Sequence, residues 1–167
     1  SKKCFGTITS ELQLTNNAPP TFHDCFWEVC QINKSLNDHM EGTFVPAWAL
    51  CLDESMSIWH SMYTCPGWVF CPRKPHPFGN EYHSSCCGKL GVMFAIEMVE
   101  GKDHPCQIPH HEFEDEHGKT GSLLLHLLKA YFTTGQYVVL DSGFCVLKAI
   151  VALYEKGIYA GALIKKR

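Results

Sequence analysis

Two aspartates, Asp53 and Asp141, each close an apolar run. The first ends Ala47-Trp48-Ala49-Leu50-Cys51-Leu52, and the second ends Tyr137-Val138-Val139-Leu140. Apolar side chains on both faces of an alternating pleat predict a strand buried on both sides, here one that delivers Asp53 to a cleft. The β-branched and aromatic run before Asp141 has high strand propensity. Carboxylates brought together from two strands are a common way to hold a hard divalent cation such as Mg2+ or Mn2+, which takes oxygen ligands. Two such ions can clamp a phosphodiester, one activating the attacking oxygen and the other stabilising the leaving one. Asp also ends strands for a plainer reason, since its side chain bonds nearby backbone donors at turns. Glu54 alternates away from Asp53 and is not chosen as a ligand.

Three other groups have the composition of sites. Arg73, Lys74 and His76 stand near Trp68 and Phe78 in a Pro-rich stretch. That mixture can grip a phosphate backbone and stack a base, or can be a solvated loop with its aromatics tucked inward. His104, His110, His111 and His117 gather with Glu112, Glu114, Asp115 and Glu116 between residues 101 and 120, in a spacing that matches no standard zinc pattern. Cys65, Cys71, Cys86 and Cys87 likewise fit no zinc pair spacing, and the vicinal pair would point to opposite faces of a strand.

The elements that must position these residues follow from periodicity. Residues 1 to 20 are polar and rich in Asn and Pro, a linker composition. Phe22, Phe26, Val29, Leu36 and Met40, with Asp24 near the start and Gly42 past the end, predict an amphipathic lead-in helix. The Asp53 strand comes next, followed by the loop from Trp59 to Gly79, where closely spaced prolines and glycines exclude a long regular element. Tyr82–Cys87 and Val92–Val99 read as a hairpin around Gly88-Lys89-Leu90-Gly91. A polar loop over residues 101 to 120 leads to a helix that starts at Gly121-Ser122 and turns Leu124, Leu127, Leu128 and Tyr131 inward. The Asp141 strand, a helix closed by Lys156-Gly157 and a strand from Ile158 to Ile164 complete an α/β layout, with helices packed on a mixed sheet.

At 167 residues and 46% hydrophobic, the chain can bury a core of its own. A net charge of -3, from 14 basic and 17 acidic residues, excludes an overall basic surface for nucleic acid, so any such grip must be local. No apolar run reaches membrane-spanning length, and Ser1-Lys2-Lys3-Cys4 has no signal-peptide core. The 10 cysteines, several in apolar runs, suit a reducing, intracellular compartment.

Taken in order, several short segments carry a family resemblance. They are Cys51-Leu52-Asp53-Glu54-Ser55-Met56, Pro72-Arg73-Lys74-Pro75 with Gly79, Glu97 to Lys102, Thr120-Gly121, Val139-Leu140-Asp141 and Gly157-Ile158-Tyr159-Ala160-Gly161. Together with Val45-Pro46 after the lead-in helix, they make the chain from about Phe22 onward resemble piggyBac-type transposases and the domesticated proteins derived from them. The resemblance implies an RNase H-like mixed sheet flanked by helices, with an incomplete core and an N-terminal helical lead-in. It divides the chain into residues 1–45, linker and lead-in helix, and residues 46–167, the first part of the transposase domain. It implies a DDE/D site in which Asp53 is the first acid and Asp141 the second, with Mg2+ or Mn2+ at two positions left incomplete here. Arg73 and Lys74 become the nucleic-acid contacts, DNA the partner, a homodimer the assembly and the nucleus the place of action. The family's third acid and its Cys-rich tail are expected beyond Arg167, so residues 1–167 alone are expected to be inactive.

The sequence also departs from the family's pattern. Asp141 is followed by Ser142-Gly143-Phe144-Cys145-Val146 instead of Asn, two aromatics and Thr-Ser. Glu81 stands where a basic residue is common, and the usual Gly-Arg after the first acid is missing. Two functions follow: the catalytic core of a transposase that cuts and joins DNA, or a catalytically silent, domesticated domain that binds DNA, chromatin or protein.

Overall fold

The computed structural model describes residues 2–12, 14–16, 18, 26–65, 67–99 and 112–164. Its elements are helix α1 (Lys2–Ser10), helix α2 (Trp27–Thr43), strand β1 (Ala49–Ile58), strand β2 (Trp68–Phe70), strand β3 (Phe78–Cys87), strand β4 (Met93–Met98), helix α3 (Glu114–Leu128), strand β5 (Tyr137–Leu140), helix α4 (Leu147–Glu155) and strand β6 (Tyr159–Ala162). The six strands form one open mixed sheet in the order β2-β3-β1-β5-β6, with β4 also paired to β3. β1 is antiparallel to β3, from Leu50↔Cys87 to Ile58↔Gly79, and parallel to β5, from Ala49↔Tyr137 to Leu52↔Leu140. β6 continues the parallel half beside β5. This is the mixed sheet flanked by helices that the sequence predicts.

The core follows from alternation along the central strands. Leu50, Leu52, Val138 and Leu140 are sealed from solvent, and against them lie Leu124, Leu128, Ala149, Leu153 and Ile158 from the helical layer and the start of the last strand. Fully burying each such leucine is worth about 1.5–3 kcal/mol, which makes this layer the main source of cohesion. α3 and α4 approach closely at Gly121, where a Cβ would come within 3.3 Å of the Ala149 Cβ. The opposite face of β1 and β5 is only partly covered among the described residues. Ala49 and Cys51 are half-buried, and Val139 stays 50% exposed. The expectation of a β1 covered on both faces therefore holds for one face, and Trp48 projects outward just before the strand.

Three other expectations change. The stretch read as linker contains α1, because Phe5, Ile8 and Leu12 recur at helical spacing within a stretch whose overall composition is polar. α2 runs through Gly42 to Thr43, and of its predicted inward stripe only Phe26, just before the helix, and Met40 reach the interior. Val29 and Leu36 remain about 40% exposed. The contact with β4 is polar instead: the Asn37 side chain accepts from the Ile96 N–H at 2.9 Å and donates to its carbonyl at 2.8 Å, and the Asn33 amide adds a bond to the same carbonyl at 3.0 Å. Phe22 and Asp24 lie outside the described residues. α3 begins at Glu114, inside the stretch expected to be a loop, and bends at Gly118, whose φ of 70° is not helical. Its acids Glu114, Asp115 and Glu116 occupy the first turn, where the helix dipole favours negative charge. Among the described residues, no helix is long and apolar enough to cross a membrane.

Candidate active site

The parallel register of β1 and β5 decides where the two aspartates go. Leu52↔Leu140 is the last registered pair, and Asp53 and Asp141 follow it directly on the face opposite those buried leucines; Asp141 stands just past the end of β5, whereas β1 continues through Asp53 to Ile58 instead of ending there. Both are exposed. Asp141 keeps an extended backbone (φ -68°, ψ 165°) before the chain tightens into a 3-10 turn, Ser142–Phe144, closed by the Phe144 N–H donating to the Asp141 carbonyl at 3.0 Å. Asp53 remains within β1, opposite Ser84 of β3. Its Oδ1 accepts from the Glu54 N–H at 2.8 Å, which fixes one carboxylate oxygen to the strand. Two residues back on the same face, burial, together with the Asp53 charge and Cys86, pushes the Cys51 thiol up, so it stays protonated at neutral pH.

Glu54 goes the other way, as alternation requires, onto the face shared by Leu52. There it meets β3 in register: Glu54 pairs with His83, and Glu81 lies two residues away on the same face. One ligand atom from each of Glu54, Glu81 and His83 lies within 4.8 Å of the others. Lys74 reaches in from the preceding loop, its Nζ donating to the Glu54 carbonyl at 2.8 Å and lying 3.3 Å from Glu54 Oε1. Burial, the Glu54 charge and a hydrogen bond with Glu54 push the Glu81 carboxyl up, while Lys74 and Arg73 pull it back. Burial pushes His83 down, against the pull of Glu54. The edge of the His83 ring meets Phe144, with centroids 5.5 Å apart. The sequence hides this cluster, because only the β1–β3 register brings Glu54 opposite His83. The one visible signal was Glu81 and His83 sharing a strand face at two-residue spacing.

The aromatic loop is ordered by its own stacking. Phe78 stacks on Phe70 at 5.1 Å and on Trp68 at 6.0 Å, while Trp59 Nε1 donates to Thr64 Oγ1 and Trp68 Nε1 to the Trp59 carbonyl. Gly79 permits the return into β3, since a Cβ there would sit 1.9 Å from the Ser57 carbonyl oxygen. Arg73 is exposed on this loop, whereas Lys74 is half-buried and engaged by Glu54. Of the histidine group, His104, His110 and His111 lie outside the described residues. His117 is buried against Phe113, its Nε2 3.6 Å from Glu116. Glu112 pairs with Lys129. Cys86 and Cys87 do point to opposite faces, since Cys87 enters the core opposite Leu50 and Cys86 lies opposite Cys51.

Residues 1–167 match the family model described as Transposase IS4. Among solved structures, the chain is similar to a piggyBac transposase in a synaptic complex with hairpin DNA, with a TM-score of 0.69 and 14% identity. All of this chain aligns, and it spans 31% of that transposase chain. At that identity the likeness establishes the shared fold. No curated protein sequence matches the chain.

Proposed function

The chain belongs to the Transposase IS4 family, and from that premise we propose that it is the catalytic-core portion of a piggyBac-like DDE/D transposase acting on DNA in the nucleus. The observation that carries this reading is that Asp53 and Asp141 each directly follow Leu52↔Leu140, the last registered pair of the adjacent parallel strands β1 and β5. Residues 1–45 then lead into residues 46–167, the first part of the transposase domain. The donor set fits a hard divalent cation: two exposed carboxylates, with one Asp53 oxygen held by the Glu54 N–H and the other left to coordinate. When bound, Mg2+ or Mn2+ would activate water or a 3′-hydroxyl and stabilise the leaving oxygen of a phosphodiester. The chain's own contribution is positional. β1 and β5 fix the spacing of the two acids, the Glu54 N–H orients Asp53, and the turn after Asp141 is anchored by buried Phe144.

DNA would approach on the side of the aromatic loop, where Arg73 is exposed and Lys74 is tied to Glu54, so phosphate contact falls mainly to Arg73. The second reading, a silent domesticated domain in a DNA- or chromatin-bound assembly, draws on the turn after Asp141. Phe144, the one aromatic retained there, is only 3% exposed and packs inward on His83, which withdraws it from any DNA surface.

The deciding experiment uses the full-length parent protein, assayed for metal-dependent cleavage of DNA carrying its own element ends. D53N and D141N are each expected to abolish cleavage while DNA binding persists. Cleavage unaffected by either substitution would refute the assignment of the acids, and DNA binding without any cleavage by the unaltered protein would favour the silent domain.

A further inference from the structure

We propose that Glu54, Glu81 and His83 form a separate site for a zinc-like divalent transition ion, on the face of β1 opposite Asp53 and Asp141. The donors are not simply a group of acids. Two carboxylates and an imidazole suit Zn2+ and its neighbours, whereas Mg2+ and Ca2+ prefer oxygen alone. Their ligand atoms lie within 4.8 Å of one another, and tetrahedral coordination at about 2.1 Å requires about 3.4 Å between ligands. Rotamer adjustment of the two glutamates covers that difference without moving β1 or β3. The three side chains are 17–23% exposed, so the group is partly withdrawn from water yet open to an ion from one side.

Charge points the same way. Glu54 and Glu81 lie close enough to hydrogen-bond each other, with Lys74 on Glu54 and Arg73 nearby, so the two acids crowd one spot between the strands, and a divalent ion would relieve their mutual repulsion. Lys74 now supplies the counter-charge, but it also donates to the Glu54 carbonyl and can keep that bond while yielding the carboxylate. A second, independent observation is Ser85, the next residue along the same face of β3. It is fully buried, and its hydroxyl has no hydrogen-bond partner among the described residues. It stands one same-face step from His83, so the polar stretch of this strand face continues inward with unspent hydrogen-bonding capacity. Because His83 packs on Phe144, three residues after Asp141, an ion here would brace the turn behind the second acid.

The test separates this site from the one carrying Asp53. Zn2+ and Co2+ titrations of the purified protein, by calorimetry and visible absorption, are run in the D53N/D141N background. One ion per chain is expected to bind there, at least about tenfold more weakly when E81Q or H83Q is added. Lys74→Met, which removes the competing ammonium, should tighten binding. Circular dichroism of each variant checks folding, and the gain expected from Lys74→Met does not depend on a fragile variant. Absence of binding in the D53N/D141N background, or affinity unchanged by E81Q, H83Q and Lys74→Met alike, overturns the proposal.

Discussion

The two halves of the sheet share one apolar core but differ in what is added to it. On the parallel side, β1, β5 and β6 press Leu50, Leu52, Val138 and Leu140 against α3 and α4, and the seal is apolar. On the antiparallel side, Cys87 and Phe94 join that core and Phe78 stacks on Phe70 and Trp68, but directed polar contacts are added: Asn37 on Ile96, the Asn80 amide donating to the Val99 carbonyl at 3.0 Å, and Lys74 on Glu54. The first half tolerates imprecision because burial has no direction. The second depends on a few atoms being in place, since a buried polar group that loses its partner bears its whole desolvation penalty. The candidate acids leave from the apolar half, while the residues best suited to meet a charged partner sit in the polar half. Positioning and recognition are thereby separated within one sheet.

Four measurements sharpen that contrast. The largest effect is expected from L124A on the apolar side: Leu124 is completely buried, and its truncation should cost about 2–5 kcal/mol in denaturant unfolding. On the polar side, N37A should cost about 1–3 kcal/mol by leaving the Ile96 N–H unpaired, and should raise amide exchange in β4 before β1. N33A should cost less, because the carbonyl it serves keeps its bond from Asn37. Equal losses for N37A and N33A would break the argument that directed bonds hold this half.

Smaller effects concern charge. For DNA binding by the full-length protein, R73A should lower the slope of log K against log salt by about one counterion, whereas K74A should change it less, because that ammonium is already paired. The smallest effect expected is pH-dependent, measured with chelator present. Glu81 titrates higher in the folded state than its usual value of 4.5, so the folded state holds the extra proton and stability falls as pH rises above about 4.5. E81Q should remove that decline. His83 shifts downward, so its contribution is present above the usual 6.5 and is lost as pH falls below it, an opposite slope that E81Q leaves in place.

How much could be read from the sequence divides along the same line. Leu50, Leu52, Leu124, Leu128 and Val138 announce themselves by period, and with them came the strands, the hairpin and both C-terminal helices. The apolar runs before Asp53 and Asp141 mark two strands that do lie side by side, but the expectation that each ends at its acid holds only for β5, since β1 continues to Ile58. Polar organisation carries no period. Nothing in Asn33 or Asn37 marks them as partners of β4, and nothing in Glu54 or His83 reveals that a register 29 residues apart brings them together. α1 and the first turn of α3 are obscured because polar and charged residues dominate their stretches as a whole, whereas a helix needs only a few correctly spaced apolar ones.

Asn37 has a consequence for how the sheet can grow. A side-chain amide offers the donor and acceptor of a neighbouring strand but has no backbone to continue the ladder. By occupying both polar groups of Ile96, it acts as a terminator for strand addition at that point of β4. A second chain attempting edge-to-edge association there would first have to evict the amide and would gain only what it displaced. The edge is thus made unattractive to templated aggregation without a charge or a proline, by a mimic of the strand it turns away.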